Sequence, residues 1–143
     1  MARCFRTRVG GNTITKLAII ASNGDLFSAY KVLNIAISAS AANYEVSIFF
    51  AFEGIQLLHK EANQQLVLPE GKEASAEGFQ KSNVPSIPEL VDMAKELGVN
   101  MIACQMTMDV MNLEKEDLVK GIKVAGAITY LVFAKDANIT LSF

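Results

Sequence analysis

Hydrophobic positions cluster along this chain in short blocks separated by polar turns. Ile14–Ala21 is apolar apart from Thr15 and Lys16, and Tyr44–Phe50 and Val99–Ala103 form comparable stretches. Runs this short, bounded by turn residues, predict strands buried on both faces. Between them the period lengthens to that of a helix. Leu26, Tyr30, Leu33 and Ile37 share one helical face, and Ala29, Val32 and Ala36 fill most of the remainder. The polar stripe of that helix, Lys31, Asn34 and Ser38, is narrow, which predicts cover on more than one side. Asn43 ends it.

A second helical stripe runs through Ile87, Leu90, Val91, Ala94 and Leu97. Ser86 and Glu89 have capping-box spacing, Pro88 suits the first turn, and Gly98 is the expected terminator. Ile55–Lys60 predicts a short helix and Glu114–Lys120 a charged helical turn closed by Gly121. Ile122–Val124 predicts a short strand, Ala127–Asp136 a last helix and Ile139–Phe143 a terminal strand. Strand and helix thus alternate, with no Asn-Gly hairpin signal between strands. This predicts an α/β chain, three-layer α/β/α, with a mainly parallel five-stranded sheet.

Residues 14–143 read as a single domain, and residues 1–13 as a flexible amino-terminal extension, or the product of an early start. Arg3, Arg6 and Arg8, all the arginines of the chain, lie there, followed by the loop signal Gly10-Gly11-Asn12-Thr13. Residues 61–83 are polar, acidic and aperiodic, and too long for an ordinary connection, so they predict a mobile segment or a lid.

A net charge of −2 gives no basic face for nucleic acid. No apolar run reaches the roughly 20 residues of a membrane span, and the start lacks the apolar core of a signal peptide. Cytoplasmic residence is expected. The 51% hydrophobic content predicts surface covered by further copies, hence a homo-oligomer.

Candidate chemistry gathers at the join of the Val99–Ala103 strand with the next helix. Cys104 is expected at the carboxyl edge of the sheet, where open α/β folds bind ligands, with Thr107 capping the following helix and Asp109 in its first turn. Free cysteine also packs as a small hydrophobe. Met101, Met106, Met108 and Met111 are expected to make the surroundings apolar. The turn Ser22-Asn23-Gly24-Asp25 offers backbone N–H groups to an anion at a helix start, or is an ordinary turn. No G-x-G-x-x-G or Walker loop is present. One histidine and two distant cysteines, Cys4 and Cys104, supply too few ligands for a zinc site. A dyad of Cys104 with His59 is disfavoured, because His59 falls late in a helix. No metal and no cofactor are expected.

Ala103-Cys104-Gln105-Met106-Thr107-Met108-Asp109-Val110-Met111, then Lys115-Glu116-Asp117-Leu118 and Val124-Ala125-Gly126-Ala127-Ile128-Thr129-Tyr130-Leu131, closely resemble the DsrE/DsrF-like family, in its DsrE-related branch also described as peroxiredoxin-like. The resemblance spans roughly residues 14–143. Asn112 stands where a glycine is usual, and Ala125 replaces the first glycine of the later pair. The resemblance implies a flavodoxin-like fold, homo-oligomers and a sulfurtransferase-like carrier in intracellular sulfur relay. Cys104 would accept sulfane sulfur as a persulfide from a donor protein and pass it to an acceptor. Backbone N–H groups of the next helix would stabilise that anion, and the methionines would shield it. Asn23, Gly24, Phe52, Gln105, Met106, Thr107 and Gly126 would line the pocket. The alternative is a flavodoxin-like module binding a small anionic or nucleotide ligand at the same edge without thiol chemistry.

Overall fold

The computed structural model describes residues 8–9 and 12–143. Arg8–Val9 pairs antiparallel with Asn12–Thr13, where the sequence predicted only a loop; the intervening Gly10-Gly11 is a recognised hairpin dipeptide. The expectations for Arg3, Cys4 and Arg6, and for a flexible extension, fall outside the described residues.

The main sheet has five strands: β1 (Lys16–Ala21), β2 (Glu45–Phe50), β3 (Asn100–Cys104), β4 (Lys123–Ala125) and β5 (Ile139–Ser142). Their order across the sheet is β4-β3-β2-β1-β5, and every pairing is parallel. The helices are α1 (Leu26–Ala41), α2 (Ala76–Lys81), α3 (Ile87–Glu96), α4 (Gln105–Val110) and α5 (Ala127–Ala134). The chain steps from β1 to β4 in one direction, then returns across the sheet to place β5 beside β1. Right-handed crossovers in opposite directions put helices on opposite faces. Accordingly α1 and α3 pack together on one face, and α5 lies over β1 and β2 on the other.

The strands supply alternate residues to these two faces. Leu17, Ile19, Val46, Ile48, Phe50 and Met101 meet α1 and α3 in the larger core. Ala18, Phe49, Ile102 and Cys104 meet Tyr130 of α5 in the smaller one. Fully burying an aliphatic or aromatic side chain contributes roughly 1.5–3 kcal/mol, so the first face carries most of the hydrophobic stabilisation.

Local signals act as their chemistry requires. Asp25 caps α1 by accepting the Ser28 N–H at 2.9 Å. The Ser86–Glu89 capping box is present with both bonds. Gly98 follows α3 in the left-handed region, φ +82°. Other boundaries differ. Phe52–Leu57 is a 3-10 helix instead of the short helix expected over Ile55–Lys60, and Lys115–Asp117 is a single 3-10 turn.

Residues 61–83 are more regular than their pattern implied. They contain 3-10 turns at Ala62–Gln64 and Glu73–Ser75, then α2, which buries no residue and so leaves no apolar period to detect. Phe79 of α2 stacks on Tyr30 at 5.0 Å between ring centroids and tilts against Phe27 at 6.0 Å. The Leu26 N–H donates to the Val67 carbonyl at 2.8 Å. The segment therefore covers the outer side of α1, on the sheet face opposite Cys104.

Candidate functional site at the carboxyl edge of the sheet

Cys104 ends β3 and is the N-cap residue of α4, with φ −67° and ψ 117°. It is 5% exposed, and is the free cysteine of the described residues. Its carboxyl-edge position matches expectation, but the helix after it begins earlier than predicted. Gln105 is already helical, so Thr107 is an interior residue and no cap, and Asp109 lies in the second turn. The period in a helix this short is too brief to fix its start from sequence. Asp109 instead accepts a 2.9 Å hydrogen bond from the Gln105 side chain.

Thr107 has another function in the fold. It is fully buried, and its Oγ1 accepts the Phe52 N–H at 2.9 Å. This bond ties the loop after β2 to α4. Phe52 is held there at φ +48° with its side chain 51% exposed. A bulky residue in that region carries strain of about 1–3 kcal/mol, tolerated only where its surroundings enforce it. Gly54 adds to the clamp, because a methyl group there would overlap the Ala21 carbonyl. Gly24 likewise lies against the Glu53 carbonyl, where a Cβ would sit at 2.6 Å. The loops after β1 and β2 are thus pressed together, and Phe52 and α4 are joined.

The other expected pocket residues divide. Gln105 and Met106 are exposed on α4, Met106 by 57%. Asn23 is exposed in the β1 loop. The carboxylate of Asp25 already occupies the amino end of α1, so an anion there would meet a negative charge. Its burial works to raise the pKa, but the Ser28 hydroxyl and N–H that it accepts, with nearby Lys31, outweigh this and hold it below the ordinary value. Gly126 is the N-cap of α5 with φ −82°, and open space surrounds the position of a Cβ. Its neighbour Ala125 pairs with Cys104.

The methionines do not surround the thiol. Met101 and Met108 fill the α1/α3 core, whereas Met106 and Met111 are exposed. Strand alternation sends Met101 to the face opposite Cys104. The apolar neighbours of Cys104 are Phe49, Ala51, Ile102 and Tyr130. The Tyr130 ring tilts on Phe49 at 5.6 Å, and burial raises its pKa. Residue choice around Cys104 did not single out Tyr130; its place one turn into the helix that follows Gly126 was the available signal.

His59 is not brought to Cys104. Its Nδ1 accepts the N–H groups of Glu61 and Ala62 at 3.2 Å. It lines a cavity of about 320 Å³ with Ile55, Gln56, Ala62, Gln65, Met111 and Leu113. It closes an isolated bridge to Leu118, instead of sitting late in a helix. Among the described residues no cluster of three or more His, Cys, Asp or Glu side chains gathers to hold a metal ion.

Around the edge lies a broad apolar surface. Besides Phe52 and Met106, Val110 is 72% exposed, and α5 exposes Ile128, Leu131 and Val132 by 70%, 54% and 59%. α5 is apolar on every side but has the sheet on only one of them. No helix among the described residues is long and apolar enough to cross a membrane.

The fold is shared with solved structures of low sequence identity. The ychN protein from E. coli superposes with a TM-score of 0.69 at 14% identity, over 91% of this chain and 100% of that one. MTH1491 from Methanobacterium thermoautotrophicum gives 0.63 at 13% identity, over 89% and 98%. Sequence similarity is closer elsewhere. The chain is 35% identical to the Sulfur carrier protein DsrE2 of Allochromatium vinosum, over 88% of this chain and 96% of that protein. It is 30% identical to YrkE of Bacillus subtilis, over 88% and 95%. The sequence profile of the DsrE/DsrF/DrsH-like family matches residues 13–77 and 70–142. By both the extent of that match and the identity to DsrE2, the chain belongs to the DsrE/DsrF/DrsH-like family.

Proposed function

We propose that this protein is a sulfur-relay carrier that holds sulfane sulfur as a persulfide on Cys104. The observation that carries this reading is a free thiol at the carboxyl edge of a parallel sheet, in a chain 35% identical to a sulfur carrier protein. Loading is a thiol exchange. The Cys104 thiolate attacks the outer sulfur of a donor persulfide, R–S–SH; a new S–S bond forms, the donor S–S bond breaks, and R–S⁻ leaves. Delivery repeats the step with an acceptor thiolate attacking the outer sulfur and Cys104 leaving as thiolate. Neither step requires a general base, metal or cofactor.

The covered position of Cys104 suits a carrier. Cys104 is 5% exposed and packs in one cluster with Phe49, Ala51, Ile102 and Tyr130, cover that restricts its oxidation. A donor or acceptor thiol gains access by displacing α4 or the start of α5. Phe52 and Met106 present apolar contacts beside that entry, with Phe52 fixed by Thr107. The exposed residues of α5 are covered by further copies of the chain, making it a homo-oligomer. Residues 14–143 act as one domain. Asp25 at the start of α1 disfavours the alternative of an anion held by the Ser22–Asp25 turn.

Intact mass after exposure to a low-molecular-weight persulfide tests the reading. A reducible gain of one sulfur on the native protein, absent from Cys104→Ser, is the expected result. An unmodified native protein whose thiol reacts only after unfolding would overturn it.

A further inference from the structure

The hydrophobic cluster that holds Cys104 includes a side chain whose polar end sulfur storage alone does not use, the hydroxyl of Tyr130. Tyr130 is 5% exposed and belongs to the same packed cluster as Cys104. Its ring is fixed by Phe49, on the strand next to that of Cys104. The direction of the side chain follows from the helix. α5 starts immediately after β4, whose Ala125 pairs with Cys104, so its amino end stands at the cysteine's edge of the sheet. Helical side chains lean toward the amino end. Tyr130, one turn into α5, therefore leans back toward the level of Cys104.

The ring is covered, while the hydroxyl reaches the rim of the cluster: the enclosed side-chain atom without a partner among the described residues is Asn63 Oδ1. Burial is the sole cause acting on the Tyr130 phenol, with no hydrogen bond and no neighbouring charge contributing. A phenol keeps its proton at neutral pH, so the group is a donor, and it makes no hydrogen bond within the protein among the described residues. Of the side chains packed in that hydrophobic cluster, the one that gains negative charge during sulfur transfer is Cys104.

Resting on the carrier reading, we propose that the Tyr130 hydroxyl donates a hydrogen bond to Cys104 Sγ as sulfur is handed on. When the acceptor attacks the outer sulfur, the S–S bond breaks and its electron pair returns to Sγ. A phenolic O–H brought to Sγ during the transfer stabilises the emerging thiolate and makes it a better leaving group. Loading in excess donor still ends at one sulfur per Cys104, so the effect is read in the rate of delivery. This assigns to Tyr130 a place in the reaction beyond packing.

Cyanide provides a test that needs no knowledge of the natural acceptor. It attacks the outer sulfur, forms thiocyanate and releases the Cys104 thiolate, while the persulfide proton passes to water. Protein loaded with a low-molecular-weight persulfide is compared with Tyr130→Phe, which keeps the ring on Phe49. The expected result is equal loading by mass but release of thiocyanate roughly five- to tenfold slower, the scale of one hydrogen bond. Tyrosine fluorinated beside the hydroxyl at position 130 is a stronger donor of nearly the same shape, and should accelerate release. A purely packing role predicts no opposite response of these two variants. If both release thiocyanate at the wild-type rate, Tyr130 has no part in delivery although Cys104 still carries sulfur. If wild-type protein takes up no sulfur at Cys104, the carrier reading and this assignment fall together. Should Tyr130→Phe not fold, the fluorinated protein decides the matter alone.

Discussion

The two faces of the sheet are made from alternate residues of the same strands, yet they are built to different standards. On one face α1 and α3 cover Ile19, Ile48, Phe50 and Met101 completely or nearly so, and α2 covers α1 in turn. On the other, α5 alone lies over Phe49 and Ile102, buries only Tyr130 of its own residues, and exposes Ile128, Leu131 and Val132. The thick face is a scaffold. The thin face holds the thiol under α5, and on the proposed carrier reading a reagent enters here without dismantling the core.

The sharpest way to break this contrast is to change the thiol. Cys104→Ser removes one buried sulfur and should abolish sulfur loading completely, with unfolding in denaturant shifted by no more than about 1–2 kcal/mol. Persulfide found elsewhere on the variant by mass spectrometry would dissociate the thin face from the chemistry. Leu33→Ala, in the thick face, should do the reverse. It deletes a fully buried side chain of α1 and should cost about 2–5 kcal/mol in denaturant unfolding. Below its unfolding transition the variant should still take up sulfur on Cys104.

The thin face also yields a prediction about assembly. Leu131→Lys together with Val132→Glu places charges on exposed positions of α5. Surface changes of this kind alter the stability of a single copy by about 0.5 kcal/mol or less. They should nevertheless dissociate the proposed homo-oligomer, read as a fall in mass by sedimentation or light scattering. An unchanged assembly would mean that another surface joins the copies.

These two faces were not equally legible in the sequence. The apolar runs at Ile14–Ala21, Tyr44–Phe50 and Val99–Ala103 identified three strands, because burial on both sides leaves few polar residues, Ser47 being a buried exception. The α1 and α3 stripes were equally plain, and their caps and the glycine after α3 stand where the residues indicated. Cys104 was placed correctly at the sheet edge. Its surroundings were not, since neighbours in sequence are poor guides to neighbours across a sheet. Met101 and Met108 point to the opposite core, and Phe49 and Tyr130 arrive from other elements. Thr107 was read as a cap because its hydroxyl suits one, whereas tertiary contact with the Phe52 N–H claims that hydroxyl. The φ of Phe52 had no signal at all; positive φ is foreseeable at glycine or asparagine, and here it is imposed by the Thr107 bond and the close packing at Gly54.

The smallest effect expected is at Asp25, which anchors the thick face at the same edge. Its carboxylate accepts the Ser28 N–H at 2.9 Å and the Ser28 hydroxyl at 2.6 Å. Asp25→Ala should cost about 1 kcal/mol through the lost cap and leave Cys104 loading unchanged. The pH dependence has a definite sign. Although burial alone would raise the Asp25 pKa, the bonds from Ser28 hold it below the ordinary carboxylate value. The unfolded chain therefore binds the proton more readily, and the contribution is complete above the ordinary carboxylate pKa. It is lost as pH falls through the folded value. The gap in stability between wild type and Asp25→Ala should hence be widest near neutrality and narrow below pH of about 4. A gap that widened in acid would show that Asp25 is stabilised in the protonated form, and that the capping bond does not set the stability of this edge.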